Sequence, residues 1–505
     1  MRTDRDILLN LESSRRVVNT TTSRKTRAEI GQFITPAPIA FFMAALFERP
    51  CENARILDAG AGTGALFTAL VSDLCSRSAP PRTIEVVAYE NDKELLSHLE
   101  KALDMCRKMC AEAHINFEGI VHNKDFISAT VEELDDGLFG HRGIRYTHAI
   151  LNPPYKKINS GSLTRRILSA AGIETSNFYA AFVWLAVRLL EPGGEIVAIT
   201  PRSFCNGPYF KRFRKLLLSR ISLKHVHIFE SRKEAFADDS VLQENVILYG
   251  VCGEASPDFL KISVSKGKDF SNLSIREISF KRVVLPGDND IFIHLIGDDE
   301  GKQVMDRMSL FDTTLEELGL QVSTGRVVDF RASEYLRKDP EKGTVPLIYS
   351  CHFDNGFVRW PLSNGKKRNA IVISNQTRDL LLRQGCYVLT KRFSSKEERR
   401  RVVAAIYDPK RIETSRIGFE NHLNYFHSNG KGLSVDIAKG LAVFLNSTLF
   451  DRYFRLFSGH TQVNASDLRK MRYPSRSHLI RLGRLIEDFM PDQEFIDTII
   501  EKECL

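Results

Sequence analysis

A polar turn at residues 152–155 carries the groups needed to hold a planar amino group. It reads Asn152-Pro153-Pro154-Tyr155 and directly follows a short apolar strand. The two prolines stiffen the turn and remove two backbone donors, so that acceptors remain. The side-chain oxygen of Asn152 and the carbonyl of Pro153 can each accept one hydrogen of the same NH2 group, and Tyr155 offers a face for stacking. A plain proline turn with an asparagine cap is the alternative interpretation.

Methylation of an aromatic amine needs such a pair of acceptors. The amine is a poor nucleophile because its lone pair is delocalised into the ring. Two acceptors draw the nitrogen towards tetrahedral geometry and free the lone pair, and a methyl donor held in line then needs no covalent enzyme intermediate. Residues 152–155 therefore predict methyl transfer to an NH2 group, and we expect no metal in the reaction.

A glycine loop precedes this turn and predicts a cofactor site. Residues 56–66 run from a hydrophobic strand through Gly60 and Gly62 into a helix. Glycine lets the backbone turn sharply and approach a ligand closely, but Gly60, Gly62 and Ala65 also satisfy the fingerprint of NAD-binding folds. Asp58 lies two residues before the first glycine, where its carboxylate suits the cationic end of an amino acid better than a pyrophosphate. The loop therefore favours S-adenosylmethionine as methyl donor.

Acidic and aromatic residues follow the next two strands. Glu90 closes the second strand and is placed to accept hydrogen bonds from both ribose hydroxyls, a feature shared with NAD enzymes. Asp125 and Phe126 follow the third strand and offer a carboxylate for an adenine amino group and an aromatic face for its ring. A helix-capping acid and a core phenylalanine are the alternative interpretations of that pair. In this order, the residues add to the case for S-adenosylmethionine.

The elements that must position these residues alternate between short apolar strands and amphipathic helices from residue 54 to about residue 252. This alternation is typical of an α/β domain with a mostly parallel sheet, Rossmann-like and with seven strands. After residue 253 this alternation gives way to short β-like runs. Apolar residues at helical spacing return at residues 433–456 and 479–490. We therefore predict a catalytic domain at residues 1–253 and a mixed α+β second domain, ending in helices, at residues 254–505.

Composition and charge indicate which partners and which cell compartment suit the protein. The chain has 505 residues with 71 basic and 63 acidic side chains, a net charge of +8, which suits a polyanionic partner. No apolar run is long enough to cross a membrane and no secretory signal is visible, so we expect a cytoplasmic protein. The nine cysteines are scattered. Cys106 and Cys110, one helical turn apart, are expected to be buried in a helix rather than to bind a metal.

The order of these motifs resembles the γ class of DNA N6-adenine methyltransferases of restriction-modification systems. Residues 31–36, Gly-Gln-Phe-Ile-Thr-Pro, resemble the N-terminal cofactor segment of that class, which implies that Thr35 helps to bind the methionine end of S-adenosylmethionine. The resemblance further assigns residues to three functions. Asp58, Gly60 and Gly62 would contact the methionine end, Glu90 the ribose, and Asp125 with Phe126 the cofactor adenine. Asn152, Pro153 and Tyr155 would hold the target adenine.

The class also has an aromatic residue before the last strand of its sheet, which packs against the flipped base. Phe236 is the counterpart that the resemblance implies, and Phe229 is the competing choice. In the second half, residues 322–330, 441–449 and 458–464 are similar to recognition-domain elements, and the chain resembles the BsuBI/PstI-like branch. The polar residues 458–464 could reach base edges or phosphates, or form a surface loop with no contact.

The resemblance implies a site-specific enzyme that methylates N6 of a flipped adenine in double-stranded DNA and so protects host DNA. Methylation of adenine N6 in RNA and of protein glutamine remain alternatives, because the turn at residues 152–155 accepts any planar NH2 group. A non-enzymatic binding module is disfavoured by the intact Asn152, Tyr155 and Gly60. We expect a monomer, with any cognate restriction endonuclease encoded separately.

Overall fold

A computed structural model describes residues 2–21, 33–135, 145–229, 244–267, 269–363, 365–394, 398–457 and 462–505. The chain divides into two compact units, Met1–Gly297 and Asp298–Leu505. The predicted boundary at residues 253/254 is therefore wrong. The segment after residue 253 adds two strands to the sheet of the first unit before the second unit begins.

The described helices of the first unit are α1 (Arg2–Thr21), α2 (Ala37–Ala44), α3 (Ala65–Ser76), α4 (Leu96–Glu112), α5 (Phe126–Asp135), α6 (Leu163–Ala170), α7 (Phe178–Leu189), α8 (Lys211–Arg220) and α9 (Phe280–Val283). Its strands are β1 (Asn53–Ala59), β2 (Thr83–Tyr89), β3 (Asn116–His122), β4 (Tyr146–Leu151), β5 (Leu190–Pro201), β6 (Ile221–Phe229), β7 (Asn245–Cys252), β8 (Phe259–Lys266) and β9 (Asp269–Ser279). Three short 3-10 helices cover Lys93–Leu95, Arg202–Cys205 and Pro208–Phe210.

These strands form one sheet in the order β3-β2-β1-β4-β5-β7-β6-β8-β9. Neighbours from β3 to β5 are parallel, β7 is antiparallel to both β5 and β6, β8 is parallel to β6, and β9 is antiparallel to β8. The mostly parallel α/β sheet is confirmed, but the described part contains nine strands rather than seven. The two extra strands lack the intervening helices whose alternation the sequence pattern relies on.

Two hydrophobic clusters cover the two faces of the sheet. Successive strand residues point to opposite faces, so that Ile56 packs with α1 to α4 and Leu57 with α5 to α8. Both are fully buried. Central strands buried on both faces read as continuous apolar runs, which is why the sequence pattern located them.

The described elements of the second unit begin with a helix and continue through short strands to a group of helices. They are α10 (Asp299–Met308), β10 (Gln321–Thr324), β11 (Leu336–Arg337), β12 (Thr344–Ile348), β13 (Phe353–Asp354), β14 (Phe357–Val358), β15 (Ala370–Val372), β16 (Leu381–Arg383), β17 (Tyr387–Lys391), β18 (Ala404–Tyr407), β19 (Arg416–Phe419), β20 (Leu423–His427), α11 (Val435–Leu445), α12 (Thr448–Phe457), α13 (Ala465–Lys470), α14 (Arg476–Arg484) and α15 (Gln493–Cys504).

Two sheets organise this unit, in the orders β10-β20-β17-β18-β14-β13 and β11-β15-β12-β19-β16. A buried aromatic group joins them, with Tyr387 lying 5.4 Å from Phe419 and Phe419 5.4 Å from Tyr425 between ring centroids. The predicted mixed α+β character is thus present. The single helical stretch predicted at residues 433–456 is two helices, α11 and α12, because the chain turns at Asn446.

The cysteines and the helices agree with the sequence analysis. Cys106 and Cys110 lie on α4 and are fully buried, as predicted. All nine cysteines are free thiols. Among the described residues, every helix is too short or too polar to cross a lipid bilayer.

Candidate active site

The predicted site residues converge because four adjacent strands, β3, β2, β1 and β4, run parallel and end at the same edge of the sheet. The segments after these strands begin near Gly60, Glu90, Asp125 and Asn152. Residues 33–36, just before α2, complete the group. Ligands of open α/β sheets bind at this carboxyl edge.

A cavity of about 640 Å³ lies at this edge. Its lining includes seven of the predicted residues: Thr35, Gly60, Gly62, Glu90, Asp125, Phe126 and Asn152. Ligand pockets span about 300–1,000 Å³, so the volume suits a nucleoside-sized ligand. Asp58, Pro153 and Tyr155 do not line the cavity, although each adjoins a lining segment.

The glycine loop bends tightly beside the end of β2. Gly60 and Gly62 have φ angles of +77° and +59°, in the left-handed region that favours glycine. The backbone N–H groups of Gly60 and Ala61 both donate to the carbonyl of Tyr89, at 2.9 and 3.0 Å. A Cβ on Gly62 would lie 3.3 Å from Cδ1 of Ile34, so glycine also keeps this side of the loop close to residues 33–35.

Asp58 is fully buried directly before the loop, and neither of its carboxylate oxygens has a hydrogen-bond partner among the described residues. Burial raises its pKa well above the usual range. The backbone N–H of Phe67, outside hydrogen-bond geometry, partly opposes this rise, and the Glu90 carboxylate adds to it. Thr63 has a buried hydroxyl that also lacks a partner in the described part of the chain. Buried polar atoms without partners are rare and suit a polar ligand.

Glu90 is held by three backbone N–H groups. Its Oε2 accepts from Gly62 at 2.8 Å, and its Oε1 accepts from Asn91 and Asp92, both at 2.9 Å. Burial raises the pKa of Glu90, and these hydrogen bonds oppose the rise. A carboxylate offers about four acceptor positions. The geometry therefore leaves Glu90 room for about one further donor, fewer than the pair of ribose hydroxyls expected from the sequence.

Asp125 and Phe126 occupy the start of α5. Asp125 Oδ1 accepts from the N–H and the hydroxyl of Ser128, both at 2.8 Å, so this oxygen caps the helix. Its Oδ2 accepts from no described residue. The Phe126 ring is buried in the cavity wall and lies 5.1 Å from Phe182 and 5.2 Å from Tyr89. The capping and binding interpretations are compatible, because each uses a different carboxylate oxygen.

Asn152 is oriented by the segment before α2. Its Nδ2 donates to the carbonyl of Phe33 at 2.9 Å and to Oγ1 of Thr35 at 3.0 Å. Because the Phe33 carbonyl can only accept, the amide nitrogen must face it, and Oδ1 points the other way. No described residue donates to this Oδ1 or to the carbonyl of Pro153. Two acceptors of the kind predicted from the sequence therefore remain available.

Tyr155 lies in an aromatic group behind this turn. Its ring centroid is 5.7 Å from that of Phe33 and 6.5 Å from that of Tyr179, which meets it edge-on. Its hydroxyl donates to the carbonyl of Ile199 at 3.3 Å. Burial raises the pKa of Tyr155, so the ring is uncharged at neutral pH. The ring is thus fixed at both its edge and its hydroxyl.

The two candidates for the additional aromatic residue differ in outcome. Phe236 lies outside the described residues, so its assignment stays a prediction. Phe229 is buried at the end of β6, with its ring centroid 4.7 Å from His227 and 6.4 Å from Phe270. It packs on the face of the sheet covered by α2 and does not line the cavity.

Several lining residues were not predicted to belong to the site. Phe33 belongs to the N-terminal segment, but its carbonyl contact with Asn152 joins residues 119 positions apart, which no local pattern reveals. Phe178 and Phe182, on α7, and Lys156 also line the cavity. The apolar run of α7, buried on nearly all sides, was the available signal, but it equally describes an ordinary core helix.

Comparison with known proteins places these features in a family. Residues 86–236 match the Eco57I restriction-modification methylase family. The type II methyltransferase M.PstI of Providencia stuartii is 42% identical over 98% of this chain and 97% of its own length. M.BsuBI of Bacillus subtilis is 45% identical over 99% of this chain and 98% of its own. The type IIL restriction-modification enzyme MmeI, solved with DNA, shares the fold with a TM-score of 0.54 and 11% identity, over 98% of this chain and 73% of that one.

The family match and the two full-length relatives show that the chain is a methyltransferase of the restriction-modification class. The chain belongs to the type II methyltransferases, together with M.PstI and M.BsuBI, and is a DNA methyltransferase of restriction-modification systems.

Proposed function

We propose that the protein transfers the methyl group of S-adenosylmethionine to N6 of an adenine flipped out of duplex DNA. The observation that carries this proposal is the orientation of Asn152, whose amide nitrogen is engaged by Phe33 and Thr35. Its Oδ1 and the Pro153 carbonyl form a pair of acceptors for one NH2 group. Such a pair fits the two hydrogens of an exocyclic amine.

The residues present fit S-adenosylmethionine. The buried, partnerless carboxylate of Asp58 would hold the ammonium of the methionine end, with the unpaired hydroxyl of Thr63 beside it. Glu90 would accept one ribose hydroxyl, and Oδ2 of Asp125 the cofactor amino group, with Phe126 against the adenine ring. A positive charge at Asp58 would favour its ionised form and so repay the cost of its burial. When bound, the cofactor supplies an electrophilic methyl group.

The chain's own residues prepare the nucleophile. Asn152 Oδ1 and the Pro153 carbonyl accept the two N–H groups of the target, which favours a pyramidal nitrogen with an available lone pair. Thr35 and Phe33 fix the amide, so that the acceptor is in place before the base arrives. Tyr155 would stack on the flipped base, and we propose that Phe236 packs against its other side. The proposed reaction requires no metal.

The substrate and the biological role extend this proposal. We assign residues 298–505 as the target recognition domain, because the resemblance to the γ class implies a C-terminal recognition domain and the first unit ends at Gly297. Residues 458–464, of which 458–461 lie outside the described residues, remain candidates for contacts with bases or phosphates. Methylation would protect host DNA against a cognate restriction endonuclease encoded separately.

Mapping of N6-methyladenine across the genome of cells that express the chain tests this proposal. The expected result is methylation at one short sequence motif, absent in cells that express Asn152→Ala. Purified Asn152→Ala should still bind S-adenosylmethionine, because Asn152 is not needed for the contacts at Asp58 and Glu90. Methylated cytosine in place of adenine, or label confined to RNA or to protein glutamine, would refute it.

A further inference from the structure

We infer that a rim of exposed cations beside the catalytic turn binds the phosphates that flank the target base, independently of DNA sequence. This cationic rim consists of Lys156, Lys157, Arg166, Lys211 and Lys215. The inference rests on the proposed function, since it assumes that duplex DNA enters at residues 152–155. It assigns a binding surface to the catalytic unit itself, separate from the proposed recognition domain.

The rim begins at the catalytic turn. Lys156 and Lys157 directly follow Tyr155 and are exposed, and Lys156 lines the cavity. Backbone contacts fix their positions, because Phe178 N–H donates to the carbonyl of Lys156 at 3.0 Å and Lys157 forms a β-bridge with Asn177. The backbone of both lysines is therefore fixed next to the catalytic turn, with Lys156 at the cavity itself.

The segment that precedes α7 connects this turn to the other cations. Arg165 on α6 donates to the carbonyl of Thr175, and the exposed Arg166 is the next residue on this helix. Arg212, on the first turn of α8, forms an ion pair with Glu174 at 2.6 Å. The exposed starts of α6 and α8 are thereby tied to the same stretch of chain, residues 174–178.

Aromatic contacts also connect the start of α8 with the catalytic turn. The ring of Phe210, directly before α8, stacks on Tyr179 at 5.4 Å, and Tyr179 meets Tyr155 edge-on. The adjacent Tyr209 is 83% exposed. An exposed tyrosine among cations is typical of surfaces that bind nucleic acid, where rings pack on bases and sugars.

The charges on this rim are largely uncompensated. Lys157, Arg166 and Lys215 form no ion pair with any residue that the structure describes. Lys211 and Lys215 lie one turn apart on the exposed side of α8, where like charges repel, and only Lys211 has a carboxylate nearby, Asp290 at 3.4 Å. A polyanion laid across the rim would relieve this repulsion.

The side chains involved suit phosphates rather than bases. Most are lysines, which act as flexible point charges, whereas base recognition relies on well-placed bidentate groups such as arginine on guanine. Phosphate contacts release counterions, so the affinity depends on salt with a slope of about 0.9 per contact. This dependence provides a direct readout.

The test compares two triple variants of the full chain in DNA-binding titrations at several salt concentrations. The rim variant carries Lys157→Gln, Arg166→Gln and Lys215→Gln. The control variant removes three exposed cations that form no ion pair with a described residue and lie at the opposite edge of the sheet, with the substitutions Lys108→Gln, Arg220→Gln and Lys281→Gln. Isothermal titration with S-adenosylmethionine confirms that both variants keep the cofactor site.

We expect the rim variant to lose up to about 0.9 in salt slope and roughly eightfold in affinity at 0.1 M salt for each contact removed. The loss should be equal on duplexes with and without the target sequence, and the control variant should bind like the unchanged protein. Restoring charge with Lys157→Arg, Arg166→Lys and Lys215→Arg should restore the slope.

An unchanged slope, a loss confined to the target sequence, or an equal loss in the control variant would overturn the inference. A preference of the rim for RNA over duplex DNA would overturn it as well. A failure of the proposed function would give a different result. The unchanged protein would then leave adenine in DNA unmethylated, whatever the DNA affinity of the rim variant.

Discussion

Replacing Thr35 with valine tests whether the segment before α2 positions the catalytic amide. Valine has nearly the shape of threonine but no acceptor, so Asn152 Nδ2 would lose its 3.0 Å contact and keep only the carbonyl of Phe33. Thr35→Ser retains the hydroxyl and serves as the control. The amide would then be held at one point instead of two, and Oδ1 would leave its position for part of the time.

The expected loss of methyl-transfer rate follows from the hydrogen bond that is lost. An unsatisfied buried donor costs about 1–3 kcal/mol, and Asn152 is only partly buried, so about 1–2 kcal/mol is appropriate. Since about 1.4 kcal/mol corresponds to a tenfold change in rate, methyl transfer should slow by roughly 5- to 30-fold in Thr35→Val. Thr35→Ser should stay within about twofold of the unchanged protein.

Single-turnover kinetics at saturating cofactor and DNA measure the transfer step itself. Calorimetry measures S-adenosylmethionine affinity separately, because the family resemblance also implies a contact between Thr35 and the methionine end. Equal rates in the valine and serine variants would refute the positioning role. A valine variant that loses only cofactor affinity would also refute it and leave Thr35 as a cofactor contact alone.

Three further predictions concern stability and the cofactor site. Without cofactor, thermal stability should fall as pH rises through the raised pKa of Asp58, because ionisation is then uncompensated, and Asp58→Asn should remove this fall while weakening cofactor binding. Gly62→Ala and Gly172→Ala both place a side chain at positive φ, and each should lower the free energy of unfolding in urea by about 1–2 kcal/mol. Only Gly62→Ala should weaken cofactor binding, since nothing lies within 4 Å of a Cβ on Gly172. Burial lowers the pKa of His148 and His227 to about 3, so the unfolded state binds more protons than the folded state below about pH 6.5. As the pH decreases from about 6.5, the free energy of unfolding should therefore decrease by up to about 1.4 kcal/mol per pH unit for each histidine. His227→Gln should make this decrease shallower.

The catalytic half was predictable because its signals are local. The glycine loop and the turn at residues 152–155 each follow an apolar strand directly, and parallel strands bring their carboxyl ends to one edge. That reasoning predicted the neighbourhood of Gly60, Glu90, Asp125 and Asn152 without coordinates. The alternation predicted from residue 54 to about residue 252 also spans the strands β1 to β7.

Features that depend on distant pairing were not predictable. β8 follows β7 after a connection too short to hold a helix, and it pairs with β6 rather than with β7. The alternation of strands and helices therefore stops before β8, and the predicted domain boundary lies too early. The contacts of Asn152 with Phe33 and Thr35 join positions more than a hundred residues apart. The hydrogen bond from the Gly62 N–H to Glu90 likewise depends on how two loops meet.

The most direct test of the central claim is to identify the methylated nucleoside. Duplex DNA is incubated with labelled S-adenosylmethionine and the protein, digested to nucleosides and resolved by chromatography and mass spectrometry. We predict that the label appears as N6-methyl-2′-deoxyadenosine and disappears with Asn152→Ala while S-adenosylmethionine still binds. Label on a cytosine derivative, or none on DNA when RNA or protein is labelled, would contradict the account.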